Sequence, residues 1–395
     1  MSGTITIVTE EWAGSGHRMA ALALQEALLE RNTAGRVRLV GGLETVSPLL
    51  RKLSRATYYG CIRNFPELWQ RIYAQERTFS QTLRKPVGKV LGRRVWSRLI
   101  EPEQPDIVVT THAYCLPALI EAKRRDQRPF RLVSVCTDYH VNHFWIHPEI
   151  DYYIVAHEQI ADAMQQRYGI DRQKLLPLGI PLRLPFARLH DRTKMEWKRQ
   201  LGLDTSRFTV LIAGGEDGFG EIAGIVMRLL AMDNPMHLVV AAGKNERLRQ
   251  QLSSQVDERD CPHQVSLLPY VPSFWEWIGA ADAYITKPGG LTCAEAAAMG
   301  TPLIMYRPLP GQERFNSRFL HQEQMAAEAH HVEQIVELLN VWYSRGDEWR
   351  KAASQIRKLG RPDAVYQAAD FLLGLQTGRK SPETPMHEAH GLQAY

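Results

Sequence analysis

The sequence predicts an α/β protein built from two Rossmann-like domains. Short runs of β-branched and apolar residues alternate with helical patterns along the chain, as they do in proteins with parallel sheets. Each half opens in the same way, with a strand pattern, a glycine-rich loop and a helix pattern. The chain has 395 residues, of which 44% are hydrophobic, and this is enough to bury two cores.

The first unit opens with the strand pattern of residues 5–9 and a loop that contains Gly16 and His17. A dinucleotide-binding fingerprint would need a third glycine where Met19 stands. It would also need an acidic residue after the next strand pattern, residues 37–40, where two glycines follow instead. NAD binding is therefore not expected.

The rest of the chain supplies the further elements of both units. Residues 46–100 have the pattern of helices with basic faces, and residues 181–203 form a Pro- and charge-rich linker with a short helix. The second unit opens at residues 208–213, followed by Gly214 and Gly215. The remaining strand patterns are residues 106–110, 131–136, 152–155, 174–178, 237–242, 264–268, 283–285 and 302–305.

These patterns predict a division of the chain into four parts. We place an N-terminal half at residues 1–185 and a C-terminal half at residues 186–365. A helix at residues 366–377 is expected to pack back on the N-terminal half. Residues 378–395 have no apolar period and are expected to be a flexible tail.

The five cysteines argue against a disulfide framework or a zinc site. They are odd in number, far apart and never form a Cys-x-x-Cys pair, which fits a reducing cytoplasm. The N-terminus enters a strand pattern directly, and no stretch approaches the roughly 18 apolar residues of a membrane-spanning helix. We therefore expect a soluble or peripheral protein. The cysteines are Cys61, Cys115, Cys136, Cys261 and Cys293.

One segment carries the positive charge. Residues 31–100 contain twelve Arg and three Lys but only three Glu, so this segment has a net charge of +12. The whole chain has a net charge of +5, and its remaining residues therefore have a net charge of −7. A solvated surface is one interpretation and nucleic acid another, but no nucleic-acid-binding motif accompanies the charge. We favour anionic lipid head groups, with Trp69 and Trp96 at the interface. The interleaved aromatic residues are Tyr58, Tyr59, Phe65, Trp69, Tyr73, Phe79 and Trp96.

Residues 286–318 carry the strongest functional signal. After a short strand pattern, the chain turns through Gly289 and Gly290 and enters an Ala-rich helix. The free N–H groups at the helix start, with the positive end of the helix dipole behind them, would bind a diphosphate. Glu295, on the same helix, would accept hydrogen bonds from an attached ribose. The N–H groups are those of Gly290, Leu291 and Thr292.

The loop that follows offers an amide and a carboxylate side by side. Its sequence is Pro310-Gly311-Gln312-Glu313. Such a pair suits a hexose, whose hydroxyl groups both donate and accept hydrogen bonds. Two glycines alone would indicate an ordinary turn, but here they stand within a longer pattern.

The whole segment resembles the nucleotide-sugar site of the processive diacylglycerol glucosyltransferase and monogalactosyldiacylglycerol synthase family, which makes glycolipids in bacteria and plastids. The peptidoglycan enzyme that adds N-acetylglucosamine to a lipid-linked precursor is a more distant relative. The first loop is similar as well, because members begin with a strand and Gly-x-Gly-His followed by alanines, as Ala20 and Ala21 follow His17 here. The matching residues of the segment are Lys287, Pro288, Gly289, Gly290, Thr292, Glu295, Ala296, Gly300, Pro302, Pro308, Pro310, Gly311, Gln312, Glu313 and Asn316.

This resemblance implies a GT-B architecture, in which two Rossmann-like domains face a central cleft. It implies a hexosyltransferase that moves a sugar from UDP-glucose or UDP-galactose to a lipid acceptor such as diacylglycerol. The basic segment then fits an anionic membrane surface, at the inner face of the cell membrane. The residues implied at the donor are Gly16, Gly214, Gly215, Lys287, Gly289, Gly290, Leu291, Thr292, Glu295, Pro310, Gly311, Gln312 and Glu313.

A metal ion and a cofactor are not expected. Transferases that hold the diphosphate through a metal use an Asp-x-Asp pair, and no two aspartates here are two residues apart. The helix N-terminus offers the alternative, because backbone N–H groups and the dipole can stabilise the departing UDP. Two histidine groups leave a metal site as the lesser alternative. They are His140, His143 and His147, and His330 and His331.

Two residues compete for the role of general base in an inverting transfer. His17 stands in a glycine loop at the carboxyl end of a strand, where ligands bind in such folds, and the pKa of histidine suits the task. Asp138 also follows a strand pattern and could act directly or orient His17. We rank His17 first and expect both to be catalytic or to bind the acceptor.

Three other activities stay open at this point. They are a UDP-N-acetylglucosamine 2-epimerase, a glycosyltransferase with an acceptor other than diacylglycerol, and a catalytically dead sugar-nucleotide-binding protein. An epimerase needs no basic aromatic face, which counts against it. A dead protein would lack site residues, whereas Glu295, Gln312 and Glu313 are all present.

Overall fold

Two parallel six-stranded sheets with helices form the protein, and the predicted α/β class is confirmed. The computed structural model describes residues 3–10, 15–31, 35–47, 49, 51–52, 54–57, 60, 88–128, 130–215, 218, 221–257 and 262–377. The sheet of the N-terminal half has the strand order β2-β1-β3-β4-β5-β6, and that of the C-terminal half has the order β12-β11-β10-β7-β8-β9. The strands are β1 (Thr4–Thr9), β2 (Arg36–Gly41), β3 (Ile107–Thr110), β4 (Arg131–Val135), β5 (Tyr152–Ile154), β6 (Leu175–Leu176), β7 (Phe208–Ala213), β8 (Met236–Ala241), β9 (Gln264–Leu268), β10 (Ala283–Thr286), β11 (Leu303–Tyr306) and β12 (Ala327–Ala329).

Both sheets are buried on both faces. In β3, Val108 packs into one hydrophobic core, and its neighbours Ile107 and Val109 pack into another. In β7, Leu211 and Ile212 are divided in the same way between the two cores of the C-terminal half. Successive strand residues point to opposite faces, so a strand covered on both sides has an unbroken apolar sequence. This is why the strand patterns are short apolar runs without alternation.

Helices cover these sheets. The α-helices whose two ends are both described are α1 (Ser15–Arg31), α2 (Gly42–Val46), α3 (Leu116–Arg125), α4 (Glu158–Tyr168), α5 (Leu184–Leu189), α6 (Lys194–Gln200), α7 (Ile222–Leu229), α8 (Glu246–Asp257), α9 (Phe274–Ala280), α10 (Gly290–Met299), α11 (Gln312–Gln322), α12 (Val332–Ser344), α13 (Gly346–Leu359) and α14 (Ala364–Gln376), besides the helical turn Glu101–Glu103. Residues 49, 51–52, 54–57, 60 and 88–95 are helical as well. A π-helical turn, Trp96–Ile100, precedes Glu101–Glu103.

The strand order creates a crevice at the same point of each sheet. From β1 the chain passes to β2 on one side and then crosses to β3 on the other side of β1. In the second sheet, β7 leads to β8 and β9 on one side, and β10 lies on its other side. Ligands of doubly wound sheets bind outside the carboxyl ends of the strands at such a switch point. We therefore expect a ligand-binding site at the loops that follow these strands.

The helix α14 packs against the N-terminal half. Its residues Ala368 and Phe371 share a core with Leu24 and Leu28 of α1. Phe371 also meets Tyr152 of β5 edge-on, with the ring centroids 5.1 Å apart. The described chain therefore passes between the two halves twice, once before β7 and once before α14.

Two strands differ from the sequence prediction. The strand β6 is limited to Leu175–Leu176. A 3₁₀ turn, Arg172–Lys174, capped by the side chain of Asp171, precedes it, and the N–H of Leu178 donates to the carbonyl oxygen of Leu176, so the chain turns after the strand. The strand β12, Ala327–Ala329, is not indicated by the sequence pattern. Its Ala-Glu-Ala sequence has low strand propensity, and it forms at the sheet edge by pairing with β11.

Much of the basic aromatic segment lies outside the described residues, and so does the tail predicted at 378–395. Trp96 is described, and it is half-buried against the core of the N-terminal half. None of the helices that the structure describes is both long enough and apolar enough to span a bilayer. The aromatic residues of the segment outside the described ranges are Tyr58, Tyr59, Phe65, Trp69, Tyr73 and Phe79.

Candidate active site

The two switch points lie against each other, and backbone atoms make the contact. A Cβ atom built on Gly290 would lie 2.0 Å from the carbonyl oxygen of Thr137 and 2.9 Å from Oδ1 of Asp138. Real Cβ contacts are not this short, so the space at this position admits only glycine. At the start of α1, a Cβ atom on Gly16 would lie 3.6 Å from Cβ of Leu291. The turn between β10 and α10 is thus in contact with two segments of the N-terminal half.

The helix α10 presents an uncapped N-terminus at this contact. It begins at Gly290, and the preceding Gly289 has extended backbone, with φ −66° and ψ 139°, and no side chain that caps the helix. The N–H of Cys293 donates to the carbonyl oxygen of Gly289 at 2.9 Å, the first hydrogen bond of the helix. The three N–H groups before Cys293 have no acceptor within the helix. Such an N-terminus, with the helix dipole behind it, fits an anion.

His17 lies in the first turn of α1 with one ring nitrogen held by the protein. Its Nδ1 is 2.9 Å from the carbonyl oxygen of Thr111 and 2.7 Å from Oγ1 of Thr137. A carbonyl oxygen only accepts, so Nδ1 carries the proton and Nε2 is the nitrogen that can take one up. Burial lowers the pKa of His17, and the nearby Asp138 carboxylate and the Thr111 carbonyl oppose this shift. The half-buried ring therefore has the tautomer of a general base.

Asp138 follows β4 and is coupled to His17 by charge. Its Oδ1 accepts a hydrogen bond from Nδ2 of Asn316 at 2.9 Å. Burial raises the pKa of Asp138, and both His17 and the Asn316 hydrogen bond counteract this rise. The structure thus brings together the two residues that the sequence proposes as base, and each stabilises the charged form of the other.

Glu295 lies in the second turn of α10 with a carboxyl group that is almost buried. Burial raises its pKa to about 7, and Arg183 opposes the rise. Nη2 of Arg183 is 4.0 Å from Oε1 of Glu295. The guanidinium is held in place by the ring of Trp275, 4.6 Å from the ring centroid, and by the carbonyl oxygen of Pro272, at 2.6 Å. Glu295 therefore changes its charge near neutral pH.

The loop before α11 is held together by Glu313. One carboxylate oxygen accepts from the N–H of Leu309 at 2.8 Å, and the other lies 3.4 Å from Nζ of Lys287. Gly311 has a positive φ of 98°, which glycine adopts at no steric cost. Glu313 thus shapes the loop, while Gln312 begins α11. The residues predicted for the sugar, Pro310, Gly311, Gln312 and Glu313, lie in one turn joined to the β10 turn by Lys287.

Gly214 and Gly215 lie at the carboxyl end of β7, next to β10 in the sheet. Gly215 has a positive φ of 76°, so the chain turns sharply there. Residues 216–217 and 219–220 of the same loop lie outside the described residues. Because β7 and β10 are neighbours in the sheet, the two glycines lie at the same sheet edge as the turn of Gly289 and Gly290.

Two histidines of the first predicted group have aromatic neighbours. His140 stacks on Phe315 with the ring centroids 4.1 Å apart, and His143 meets Tyr168 edge-on at 4.7 Å. Within the described ranges, no group of three or more His, Cys, Asp or Glu side chains could hold a metal ion.

The structure adds four residues to this neighbourhood that the sequence did not mark as site residues. Thr111 follows β3 directly and Thr137 comes two residues after the end of β4, a position at the switch point that could have marked them. Asn316 stands in the matched motif, but its partners lie far away in sequence. Arg183 lies in the linker, where no pattern distinguishes it from other charged residues.

Known protein families match each half of the chain. Residues 17–182 match the monogalactosyldiacylglycerol (MGDG) synthase family, and residues 209–338 match the glycosyltransferase family 28 C-terminal domain. A processive diacylglycerol β-glucosyltransferase of Bacillus cereus is 27% identical over 329 residues, which cover 81% of this chain and 80% of that protein. A protein of the same name from Bacillus cytotoxicus is 24% identical over 379 residues, 93% of each chain.

Solved structures share the fold. MurG of Acinetobacter baumannii has a TM-score of 0.63 at 15% identity, over 94% of this chain and 99% of its own. A UDP-GlcNAc 2-epimerase from Neisseria meningitidis has a TM-score of 0.59 at 12% identity, over 95% and 100%. Together with the sequence relatives, the fold and the site define a GT-B glycosyltransferase that depends on a UDP-sugar. The matches narrow the class further, because the N-terminal half is similar to the MGDG synthase family and the sequence relatives are processive diacylglycerol glucosyltransferases.

The contact at Gly290 gives a prediction that separates two adjacent glycines. Gly290→Ala should lower kcat by at least about 10²-fold, because the two halves must move apart by an ångström or more. Gly289→Ala should cost far less, since among the described residues a Cβ atom there meets Oγ1 of Thr292 alone, at 3.6 Å. Steady-state kinetics of both variants would test this. Equal losses would show that the contact is not the reason for glycine at position 290.

Proposed function

We propose that this enzyme transfers a hexose from UDP-glucose or UDP-galactose to the hydroxyl of a lipid such as diacylglycerol, with inversion and without a metal ion or cofactor. The observation that carries the proposal is the direct contact between the α10 N-terminus and the segment that bears Asp138, beside His17. It brings an anion site and a base to one place, and a transfer from a nucleotide diphosphate sugar needs both.

The donor binds across the C-terminal half. Its diphosphate accepts hydrogen bonds from the free N–H groups at the start of α10, and Glu295 accepts from the ribose hydroxyls. The hexose lies at the loop of Gln312 and Glu313, where an amide and a carboxylate offer donors and acceptors. Lys287 contributes a positive charge between this loop and the diphosphate.

The chemical step uses the residues of the N-terminal half. Nε2 of His17 removes the proton from the lipid hydroxyl as its oxygen attacks the anomeric carbon, on the face opposite UDP. The Asp138 carboxylate stabilises the imidazolium that forms. The bond from the anomeric carbon to the diphosphate oxygen breaks, and the α10 N-terminus stabilises the negative charge on departing UDP.

The acceptor reaches the site from a membrane. Diacylglycerol is too apolar to leave the bilayer, so the enzyme must work at its surface. The net charge of +12 between residues 31 and 100 supports attachment to anionic lipids at the inner face of the cell membrane. Proteins named processive diacylglycerol β-glucosyltransferase among the relatives support the same acceptor.

An epimerase is the second candidate, because a UDP-GlcNAc 2-epimerase shares the fold over most of the chain. At 12% identity this likeness concerns the fold alone. The family matches favour the transferase, and the two activities give different products from the donor.

The activity is tested with vesicles that contain diacylglycerol and phosphatidylglycerol. Incubation with UDP-glucose or UDP-galactose should give a glycolipid with the opposite anomeric configuration to the donor, detected by mass spectrometry and NMR. EDTA should leave the rate unchanged, and neutral vesicles or high salt should lower it because electrostatic attachment is lost.

Three results would contradict parts of this proposal. Loss of activity in EDTA with rescue by manganese would replace the metal-free mechanism. Equal rates on neutral and anionic vesicles would remove the role of the basic segment. Conversion of UDP-N-acetylglucosamine to its 2-epimer without any lipid would favour the epimerase.

Glu295 should make UDP binding depend on pH. Its pKa of about 7 means that the carboxylate is lost as pH falls through neutrality, so wild-type affinity for UDP should be weaker at pH 6 than at pH 8. Glu295→Ala should weaken binding by ~1–3 kcal/mol at pH 8, the range for hydrogen bonds to charged groups. Calorimetry at both pH values measures this.

The matched control is Glu295→Gln. It keeps the shape of the side chain but does not titrate, whereas UDP itself titrates identically against every variant. Its affinity should therefore change less between pH 6 and pH 8 than that of the wild type. Unchanged UDP affinity in Glu295→Ala would remove this residue from the donor site.

His17 and Asp138 should have different effects on turnover. His17→Ala should lower kcat by about 10²–10⁴-fold, the usual range for loss of a general base, with UDP affinity nearly unchanged. Because burial lowers the pKa of His17, wild-type kcat should persist below pH 6.5. If only Asp138→Asn causes a loss of that size, the roles of the two residues should be exchanged.

A further inference from the structure

Asn316 is a buried amide that joins the two halves of the protein. It lies on α11 and is 0% exposed. Its Oδ1 accepts from the backbone N–H of Tyr139 at 2.8 Å, and its Nδ2 donates to Oδ1 of Asp138 at 2.9 Å and to the carbonyl oxygen of Pro288 at 3.1 Å. The N–H of Tyr139 can only donate, so the orientation of the amide is fixed. Both amide hydrogens and the oxygen have partners.

The three partners belong to different sides of the site. Asp138 and Tyr139 follow β4 in the N-terminal half, and Pro288 precedes the two glycines that lead into α10. The helix that carries Asn316 itself begins with Gln312, proposed to bind the hexose. One side chain therefore connects the acceptor side, the diphosphate turn and the sugar loop.

The same face of α11 is packed against the N-terminal half on either side of Asn316. Phe315 stacks on His140 with centroids 4.1 Å apart, and Phe319 stacks on Tyr139 at 5.6 Å. The amide itself is fully buried, next to these two ring contacts in the sequence of the helix. Hydrogen bonds in such a setting are directional and costly to leave unmade.

We propose that Asn316 is a positioning residue, which holds the Asp138 carboxylate in a fixed place relative to the donor turn. The inference rests on the proposed function, because it is there that Asp138 and His17 form the catalytic pair. Asn316 acts through Asp138 and Pro288 and touches no reacting atom.

Four titratable groups lie around Asp138, and their pKa values decide whether the protonation of Asp138 can be measured without interference. They are His17 from α1, Cys136 and Tyr139 from its own segment, and Cys293 from α10. Burial raises the pKa of both thiols and of the phenol, so these three groups stay neutral in the range of interest. Of these groups, His17 and Asp138 itself are therefore the ones whose charge can change in that range.

The test compares Asn316→Asp with Asn316→Ala. The aspartate has the shape of the amide, but when ionised it has no proton to donate and repels Asp138. Once protonated, the introduced carboxyl can donate again. The kcat of Asn316→Asp relative to wild type should therefore rise by about tenfold or more as pH falls from 8 to 6, because the protonated fraction of a carboxyl rises by up to tenfold for each of these two units. Asn316→Ala should show a loss of about 10²-fold in kcat with no such rise.

Ser317→Ala is the matched control on the same helix. Ser317 is equally buried, at 1% exposed, but its hydroxyl donates to Glu328 within the C-terminal half, at 2.8 Å. It should keep wild-type kcat at every pH. UDP calorimetry confirms that each variant retains a folded donor half. A relative activity of Asn316→Asp that does not change with pH, or an Asn316→Ala variant as active as Ser317→Ala, would overturn the proposal.

A second measurement needs no substrate. Carbon-13 NMR follows the aspartate carboxyl groups, with the Asp138 signal assigned by its loss in Asp138→Asn. In Asn316→Ala the signal should titrate about one pH unit higher than in the wild type, because a hydrogen bond to the charged form is gone. Identical titration would overturn the proposal. If the wild type forms no glycolipid, the proposed function fails, and this titration still decides the role of Asn316.

Discussion

The approach of one helix N-terminus to the end of one strand governs the site. Gly290 touches the carbonyl oxygen of Thr137, and this leaves no space for a side chain between the halves. The ionisable groups of the site are buried as well. Asp138 and Glu295 both have a pKa raised by burial, and His17 has one lowered by burial, so one cause shifts all three toward their neutral forms. Neighbouring groups oppose these pKa shifts. His17 and Asp138 stabilise the charged forms of each other, and Arg183 stabilises the charged form of Glu295.

Neutral polar groups orient the ionisable side chains of the site, His17 and Asp138. The carbonyl oxygen of Thr111 decides which nitrogen of His17 is free, and the amide of Asn316 decides where the Asp138 carboxylate lies. Neither group changes its own charge near neutral pH. Orientation here comes from backbone carbonyls and an amide because their hydrogen-bonding roles do not change with pH, whereas those of the residues they hold do.

The sequence predicted those features that depend on neighbours along the chain. The start of α10 could be located because the strand, the two glycines and the Ala-rich run follow each other directly. The contact of Asn316 with Asp138 spans 178 positions, and no periodicity reports it. The role of Arg183 could not be predicted for the same reason, because its contacts with Trp275 and Glu295 join residues that are far apart in the sequence. The strand β12 was missed because pairing with β11, and not its own composition, makes it a strand.

The packing of α14 has a consequence for the order in which the protein can form. The core that contains Leu24 and Leu28 of α1 also contains Ala368 and Phe371 of α14, which the ribosome adds after both sheets have been made. A nascent chain therefore lacks part of its N-terminal core throughout the synthesis of the C-terminal half. Domains that finish their own cores can fold in turn as they emerge. The core of this N-terminal half is completed only when α14 has been made, so the two halves cannot finish folding one after the other in chain order.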